Sequence, residues 1–320
     1  MTTARHLTST GATQRKTVTF LDYIEQRINE LTLSRKFGTA RNYTKARNSF
    51  RAFLDGGDIP LRALDESTIH EYDDWLRKRG IVRNTVSFYM RILRSVYNKA
   101  VKDRLVRQTS PFDDVYTGID RTRKKALDER SLGRLLKLDL KDSPGLSLSR
   151  DLFIFSFFTR GMSFVDIAFL RKQDIKGKYI SYHRQKTGRQ LTIMMEPCIE
   201  AIVKRYAEKT KDSPYIFPIL SSSDKITAYR QYQTALGYHN RKLKALAELA
   251  GLNIPLSSYC ARHSWATVAR NRSIPVSVIS EAMGHASEKM TLIYLDSLEA
   301  SVIDKANHRV LESVIKTVSL

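Results

Sequence analysis

The chain has 320 residues, 42% of them hydrophobic and 27% charged, a composition that excludes a disordered or fibrous chain. Its two cysteines, Cys198 and Cys260, cannot make a disulfide framework, and no apolar run approaches the ~20 residues of a membrane span. Lys and Arg number 54 against 33 Asp and Glu, a net charge of +21, and an ordinary folded chain with that excess points to a polyanionic partner, nucleic acid foremost.

Residues 1–16 are polar, lack periodicity and read as a tail. Four helices are expected between Thr17 and about residue 106. The first, from about Thr19, spaces Phe20, Ile24, Ile28 and Leu31 at helical intervals. The second carries Tyr43, Phe50, Phe53 and Leu54 and stops at Gly56-Gly57. Asp65 or Ser67 caps the third. The fourth, from Asn84 to about Lys102, aligns Val86, Met90, Leu93, Val96 and Tyr97 on one face. The polar faces of the second and fourth are basic. Arg41 and Lys45 lie on one, Arg83, Arg91 and Arg94 on the other, interleaved with Asn42, Asn48, Asn84, Thr85 and Ser87. That mixture suits phosphate contacts with some base-edge contacts, against the blander reading of a solvated helix face.

Residues 107–125 read as a basic linker, opened by Ser110-Pro111. A second domain is expected over residues 126–320. Asp128-Glu129 starts a short helix, and residues 149–159 are an apolar one. Lys178–Arg184 and Gln190–Met195 alternate as two strands of a hairpin around Gln185-Lys186-Thr187-Gly188-Arg189. Helices are expected over 199–209, 228–250, 262–272 and 274–284, and an amphipathic one over 299–317. The fold class is therefore mainly α, an all-α N-terminal domain followed by a mainly α domain with a small antiparallel sheet.

The sequence contains no Walker-type Gly-rich loop, no His-Glu-x-x-His, no Cys-x-x-Cys and no acidic cluster suited to two metals. What remains is basic and phenolic. Arg262-His263-Ser264-Trp265-Ala266-Thr267 opens a helix, Met283-Gly284-His285 follows, then Thr291 and Tyr294. A Tyr hydroxyl, with a pKa near ~10, is a poor nucleophile in water. Guanidinium groups and an imidazole around a phosphate would stabilise both the phenolate and the charge developing on phosphorus. Such a site cleaves a phosphodiester without metal or ATP and stores the bond as a phosphotyrosine.

In order and spacing, these motifs resemble the tyrosine recombinases, or phage-type integrases. The resemblance covers residues 17–315 and is most specific from Ala261 to Tyr294. It implies a core-binding domain in the four N-terminal helices and a catalytic domain from Ala126, in a simple form without an arm-binding domain. It implies that Tyr294 is the nucleophile, that Arg262 holds the non-bridging oxygens and that His285 contacts the phosphate. Lys186 would protonate the leaving 5′-oxygen, with Lys176, Lys178 and Arg189 as rivals, and Asp166 would buttress the site.

The chain departs from the family in two places. The family's first arginine precedes that acidic residue by three positions, and here Ser163 stands there. Arg160, one turn earlier if Arg160-Gly161-Met162-Ser163 is helical, is the expected replacement, with Arg171 the alternative. Tyr259 stands where the family has His, and a phenol there positions phosphate rather than taking a proton.

The expected activity is site-specific recombination of double-stranded DNA by a homotetramer spanning two sites, free of cofactor, metal and membrane, in a cytoplasmic, nucleoid-associated bacterial protein. The alternatives are a catalytically silent DNA-binding protein of the same fold and a nicking-closing enzyme like a type IB topoisomerase.

Overall fold

The periodicity between Thr19 and Lys102 forms four helices in the computed structural model, which describes residues 17–120, 125–292, 295, 304, 307–309 and 311–312. They are α1 (Phe20–Leu33), α2 (Phe37–Phe53), α3 (Glu66–Lys78) and α4 (Arg83–Lys102). Asp65 caps α3, its Oδ1 accepting from the Thr68 N–H and hydroxyl at 2.9 and 2.7 Å. The first turn of α1 lacks a cap of its own. Asp58, from the loop after α2, accepts the Leu21 N–H at 2.9 Å instead, so a donor that the helix cannot satisfy internally is met from another element. The core of this unit gathers Phe20, Ile24, Phe50, Tyr72, Met90, Leu93 and Tyr97. Phe112 and Val115 join it, so part of the stretch read as linker packs as core. The chain divides between Thr122 and Arg123 into two units.

The second unit begins with α5 (Glu129–Leu136), capped by Asp128 through the Ser131 N–H. The apolar helix α6 (Pro144–Phe158) starts earlier than its hydrophobic run, with Pro144 in the first turn. Leu152, Phe153, Ile154 and Phe155 are all buried. A helix apolar on every side must be enclosed, and α6 packs against α8, α9 and α10. The chain continues through α7 (Phe164–Phe169), β1 (Ile175–Lys176), β2 (Tyr179–His183), β3 (Gln190–Met194), α8 (Pro197–Tyr206), α9 (Lys225–Leu249), α10 (Cys260–Asn271), α11 (Val276–Ala282) and α12 (Glu288–Leu292). The strands form one antiparallel sheet in the order β1-β2-β3, with Ile180 opposite Ile193 and Tyr182 opposite Leu191. The hairpin is as expected. The short β1, α7 and α12 are additions, because two, six and five residues are too few to show a period. Of the C-terminal helix expected over 299–317, positions 304, 307–309 and 311–312 are helical, and the rest lies outside the described residues. No helix among the described residues is long and apolar enough to cross a membrane.

Candidate active site

Arg262 sits in the first turn of α10 and is 3% exposed. A buried guanidinium is costly unless its donors are met. Here Nη1 donates to the Gly161 carbonyl at 2.7 Å and Nη2 to the Met283 carbonyl at 2.6 Å. Nη2 also lies 2.9 Å from Nε2 of His285. The first carbonyl comes from the loop joining α6 to α7. Gly161 has φ +75°, and a Cβ there would lie 2.7–2.9 Å from the Arg262 Cα, Cβ and Cγ. Only glycine lets the loop approach α10 this closely. The ending of α6 fixes that loop: the Gly161 N–H donates to Ser156 O at 2.8 Å, and the Ser156 hydroxyl to Met162 O at 2.6 Å.

His285 is 4% exposed. Arginine can only donate, so Nε2 is the acceptor, and the proton on Nδ1 is donated to the Thr291 hydroxyl at 2.8 Å. Burial, followed by the charges of Arg262, Arg184 and Lys186, pushes its pKa down to about 4. The imidazole is therefore neutral at neutral pH and serves as a partner for Arg262.

The β2–β3 turn carries Lys186. Its base is closed by the Arg184 N–H to Arg189 O and the Gly188 N–H to Arg184 O, at 2.9 and 2.8 Å. Asp166, buried on α7, grips the turn by accepting the Gln185 N–H at 2.8 Å on Oδ1. Its Oδ2 accepts the Ser163 hydroxyl at 2.5 Å. Lys186 is exposed, yet its charge reaches His285. Lys176 and Lys178 flank the β1–β2 turn, at the other end of β2. Arg189 donates to the His285 carbonyl at 2.8 Å.

The expectation of a helical Arg160–Ser163 segment is corrected. α6 stops at Phe158, α7 starts at Phe164, and Arg160 and Gly161 both adopt positive φ, +59° and +75°. Left-handed residues break the helical register, so Arg160 and Ser163 do not share a helix face. Arg160 Nη1 lies 3.4 Å from the Thr192 carbonyl on β3. Arg171 has its guanidinium over the Tyr215 ring, 5.7 Å from the centroid.

Tyr259 precedes α10, 41% exposed, its ring edge-on to His263 at 5.2 Å. Tyr294 lies outside the described residues. Its neighbour Leu295 is buried with Ala266, Ala269, Ile279 and Met283 of α10 and the α11 end.

In the N-terminal unit, Arg41 and Lys45 are exposed, while Arg91 and Arg94 are half-buried. Arg83 stacks 3.7 Å over the Tyr116 ring and lies 3.5 Å from Asp120. The same unit holds an exposed Glu66–His70–Asp114 group whose ligand atoms lie within 4.8 Å of one another. Among the described residues, nothing of that kind surrounds Arg262.

Sequence reasoning passed over Arg184. The burial alternation of β2 carries it inward after Ile180 and Tyr182, a signal that was available.

Residues 19–115 match the phage integrase SAM-like domain, and residues 126–301 match the phage integrase family. Tyrosine recombinase XerA of Pyrococcus furiosus is 25% identical over 226 residues, 68% of this chain and 72% of that protein. A lambda integrase fragment solved as a dimer on a COC′ core site superposes with a TM-score of 0.66 at 16% identity, covering 88% of this chain and all of that one. Lambda integrase solved as a tetramer on a Holliday junction gives 0.66 at 17%, covering 88% and 78%. The Tn1549 transposon integrase with a circular intermediate DNA gives 0.62 at 17%, covering 91% and 99%. At these identities the structures establish a common fold.

Proposed function

The chain belongs to the phage integrase family of tyrosine recombinases, and from that premise we propose that it cuts and rejoins double-stranded DNA through a 3′-phosphotyrosyl intermediate. The observation that carries this reading is the buried Arg262 guanidinium, held by two carbonyls and His285 beside the Lys186 turn. A cation desolvated and fixed in this way is preorganised for an oxyanion.

The Tyr294 hydroxyl gives up its proton to water as its oxygen attacks the scissile phosphorus, forming the P–O bond as the bond to the 5′-oxygen breaks, and the tyrosine oxygen regains a proton from water when it leaves in the second step. Lys186 gives its proton to that oxygen and takes one back when the 5′-hydroxyl of the exchange partner attacks the phosphotyrosine. Arg262 balances the charge on the non-bridging oxygens. His285 orients Arg262 in the DNA-free site. Beside a phosphate anion its pKa rises, and a protonated Nε2 then donates to the phosphate. Tyr259, exposed at the start of α10, donates a hydrogen bond to phosphate. The exchange trades one phosphodiester for another, so neither ATP nor metal is required. Arg41, Lys45, Arg83, Arg91 and Arg94 hold the DNA backbone. Lambda integrase has been solved as a dimer and as a tetramer on DNA, which supports a homotetramer on two sites, with the segment over 299–317 docked on a neighbouring protomer.

A nicked suicide duplex tests the reading, built on the site that the chain selects from random-sequence DNA. The parent protein forms a covalent adduct and Tyr294→Phe forms none while still binding. Binding without an adduct would leave a silent DNA-binding protein. Relaxation of supercoiled plasmid without exchange between sites would favour the nicking-closing alternative.

A further inference from the structure

Ser163 leaves the phosphate with one arginine, Arg262, where two positive groups would share the charge of the transition state. Building on the recombinase reading, we propose that Arg184 supplies the second guanidinium to the scissile phosphate, from the β2–β3 turn instead of the α6–α7 loop.

Four observations place it there. Arg184 is 7% exposed, directly after β2, where it continues the inward-facing row of Ile180 and Tyr182. Its Nη1 donates to the Gly284 carbonyl at 2.7 Å, and the preceding carbonyl, Met283 O, accepts from Arg262. The two guanidinium groups thus hang from consecutive peptide units, whose Cα atoms stand about 3.8 Å apart, immediately before His285.

Second, Arg184 is underused by the fold. Its Nε is buried and has no hydrogen-bond partner among the described residues. Among those residues no carboxylate forms an ion pair with it. Two like charges this near, desolvated, repel one another, and an anion between them reverses the sign of the interaction. Both charges bear on His285, whose pKa is lowered first by burial and then by Arg262 and Arg184.

Third, the surroundings admit Arg184 closely. Gly284 has φ +63°, and a Cβ on it would lie 3.1 Å from the Arg184 Cδ and 3.0 Å from Leu191. A side chain there would be strained by the positive φ and would require the Arg184 and Leu191 side chains to give by a few tenths of an ångström.

Fourth, the exchange of residues is reciprocal. Ser163, in the position of the family's arginine, donates to Asp166, and Asp166 holds the N–H of Gln185, the residue between Arg184 and Lys186. The position that no longer carries a guanidinium instead secures the turn that does. Arg160 has no such setting: its hydrogen bond is to the β3 backbone at Thr192.

The test compares Arg184→Ala and Arg160→Ala with the parent chain on the selected suicide duplex, after thermal melting of each. Arg184→Ala is expected to slow adduct formation about 10²–10³-fold, the effect of losing one preorganised oxyanion donor, with DNA affinity retained. Arg160→Ala is expected to cost about tenfold or less. On a duplex whose scissile phosphate is replaced by a neutral methylphosphonate, the Arg184→Ala deficit should largely vanish, because the charge that Arg184 balances is gone. A purely structural role would leave the deficit in place. If Arg184→Ala does not fold, Arg184→Lys replaces it, with a smaller loss that methylphosphonate again removes. The inference is overturned by an unchanged rate in Arg184→Ala, by a deficit that persists on methylphosphonate, or by a larger methylphosphonate-rescued loss in Arg160→Ala. A parent that forms no adduct, or a Tyr294→Phe variant that still does, takes down the recombinase reading itself, and this inference with it.

Discussion

The two units of this chain handle positive charge in opposite ways. In the N-terminal unit, Arg41 and Lys45 stand exposed over a core of aliphatic and aromatic side chains, and the fold does not depend on where their charges point. In the C-terminal unit, Arg184, Arg262 and His285 are at most 7% exposed, and backbone carbonyls at Gly161, Met283 and Gly284 hold the two guanidinium groups. A solvated cation binds a phosphate loosely and loses affinity as salt rises. A buried cation held by carbonyls has already lost its water, and so it discriminates between ground state and transition state. On the proposed reading, binding would belong to surface residues that can be exchanged singly, and chemistry to a cluster whose members are also part of the fold.

The largest test of that contrast is Tyr294→Phe, which should abolish covalent attachment while leaving DNA affinity and melting temperature unchanged. Arg262→Ala should lower the rate of adduct formation about 10²–10³-fold. It should also destabilise the unit, since carbonyls left without donors in the interior cost about 1–3 kcal/mol each. Arg41→Ala should change stability by no more than about 0.5 kcal/mol; equal losses in the two variants would erase the distinction.

Gly161→Ala probes the same cluster through the backbone. The positive φ and the approach to Arg262 predict a loss of about 1–3 kcal/mol, read by denaturant melting, and a slower adduct at unchanged DNA affinity. An unchanged midpoint would mean that the α6–α7 loop can move off α10 freely.

Acid should act on the C-terminal unit in particular. His285 has its pKa lowered to about 4, chiefly by burial, and His239 to about 3, by burial alone. The unfolded chain therefore binds more protons than the folded one below the ordinary histidine range, and stability falls as pH drops from about 6.5 towards 4 for His285 and towards 3 for His239. His239→Gln and His285→Gln should each flatten part of that decline. A decline of unchanged slope in both variants would place the acid sensitivity elsewhere.

The smallest effects belong to the surface. Arg91→Ala and Arg94→Ala should each reduce the slope of log K against log salt by about 0.9 if each loses one phosphate, with cleavage of bound DNA unaltered. Arg83→Ala should change it less, because Asp120 already offsets that charge. A change in cleavage rate at saturating DNA would join these residues to the chemistry.

The amino-acid order by itself determined the longer helices, the hairpin and the family, because those follow from apolar periodicity, caps such as Asp65 and Asp128, and the spacing of Arg262, His285 and Tyr294. Arg262 and His285 were legible for the same reason: both lie in contiguous motifs. What tertiary structure decided was which carbonyl meets which guanidinium. Gly161 and Met283 reach Arg262, and Arg184 reaches Gly284, from distant points in the chain, only when α6, the hairpin, α10 and α11 pack together. The helical register proposed for Arg160 failed at two left-handed residues that α6 adopts to end itself. Arg184 was passed over because an arginine on a strand reads as surface charge until the inward face of β2 is seen to continue through it. Periodicity is a local property of the chain, whereas the partners of a buried charge are settled by long-range packing, to which no spacing along the sequence corresponds.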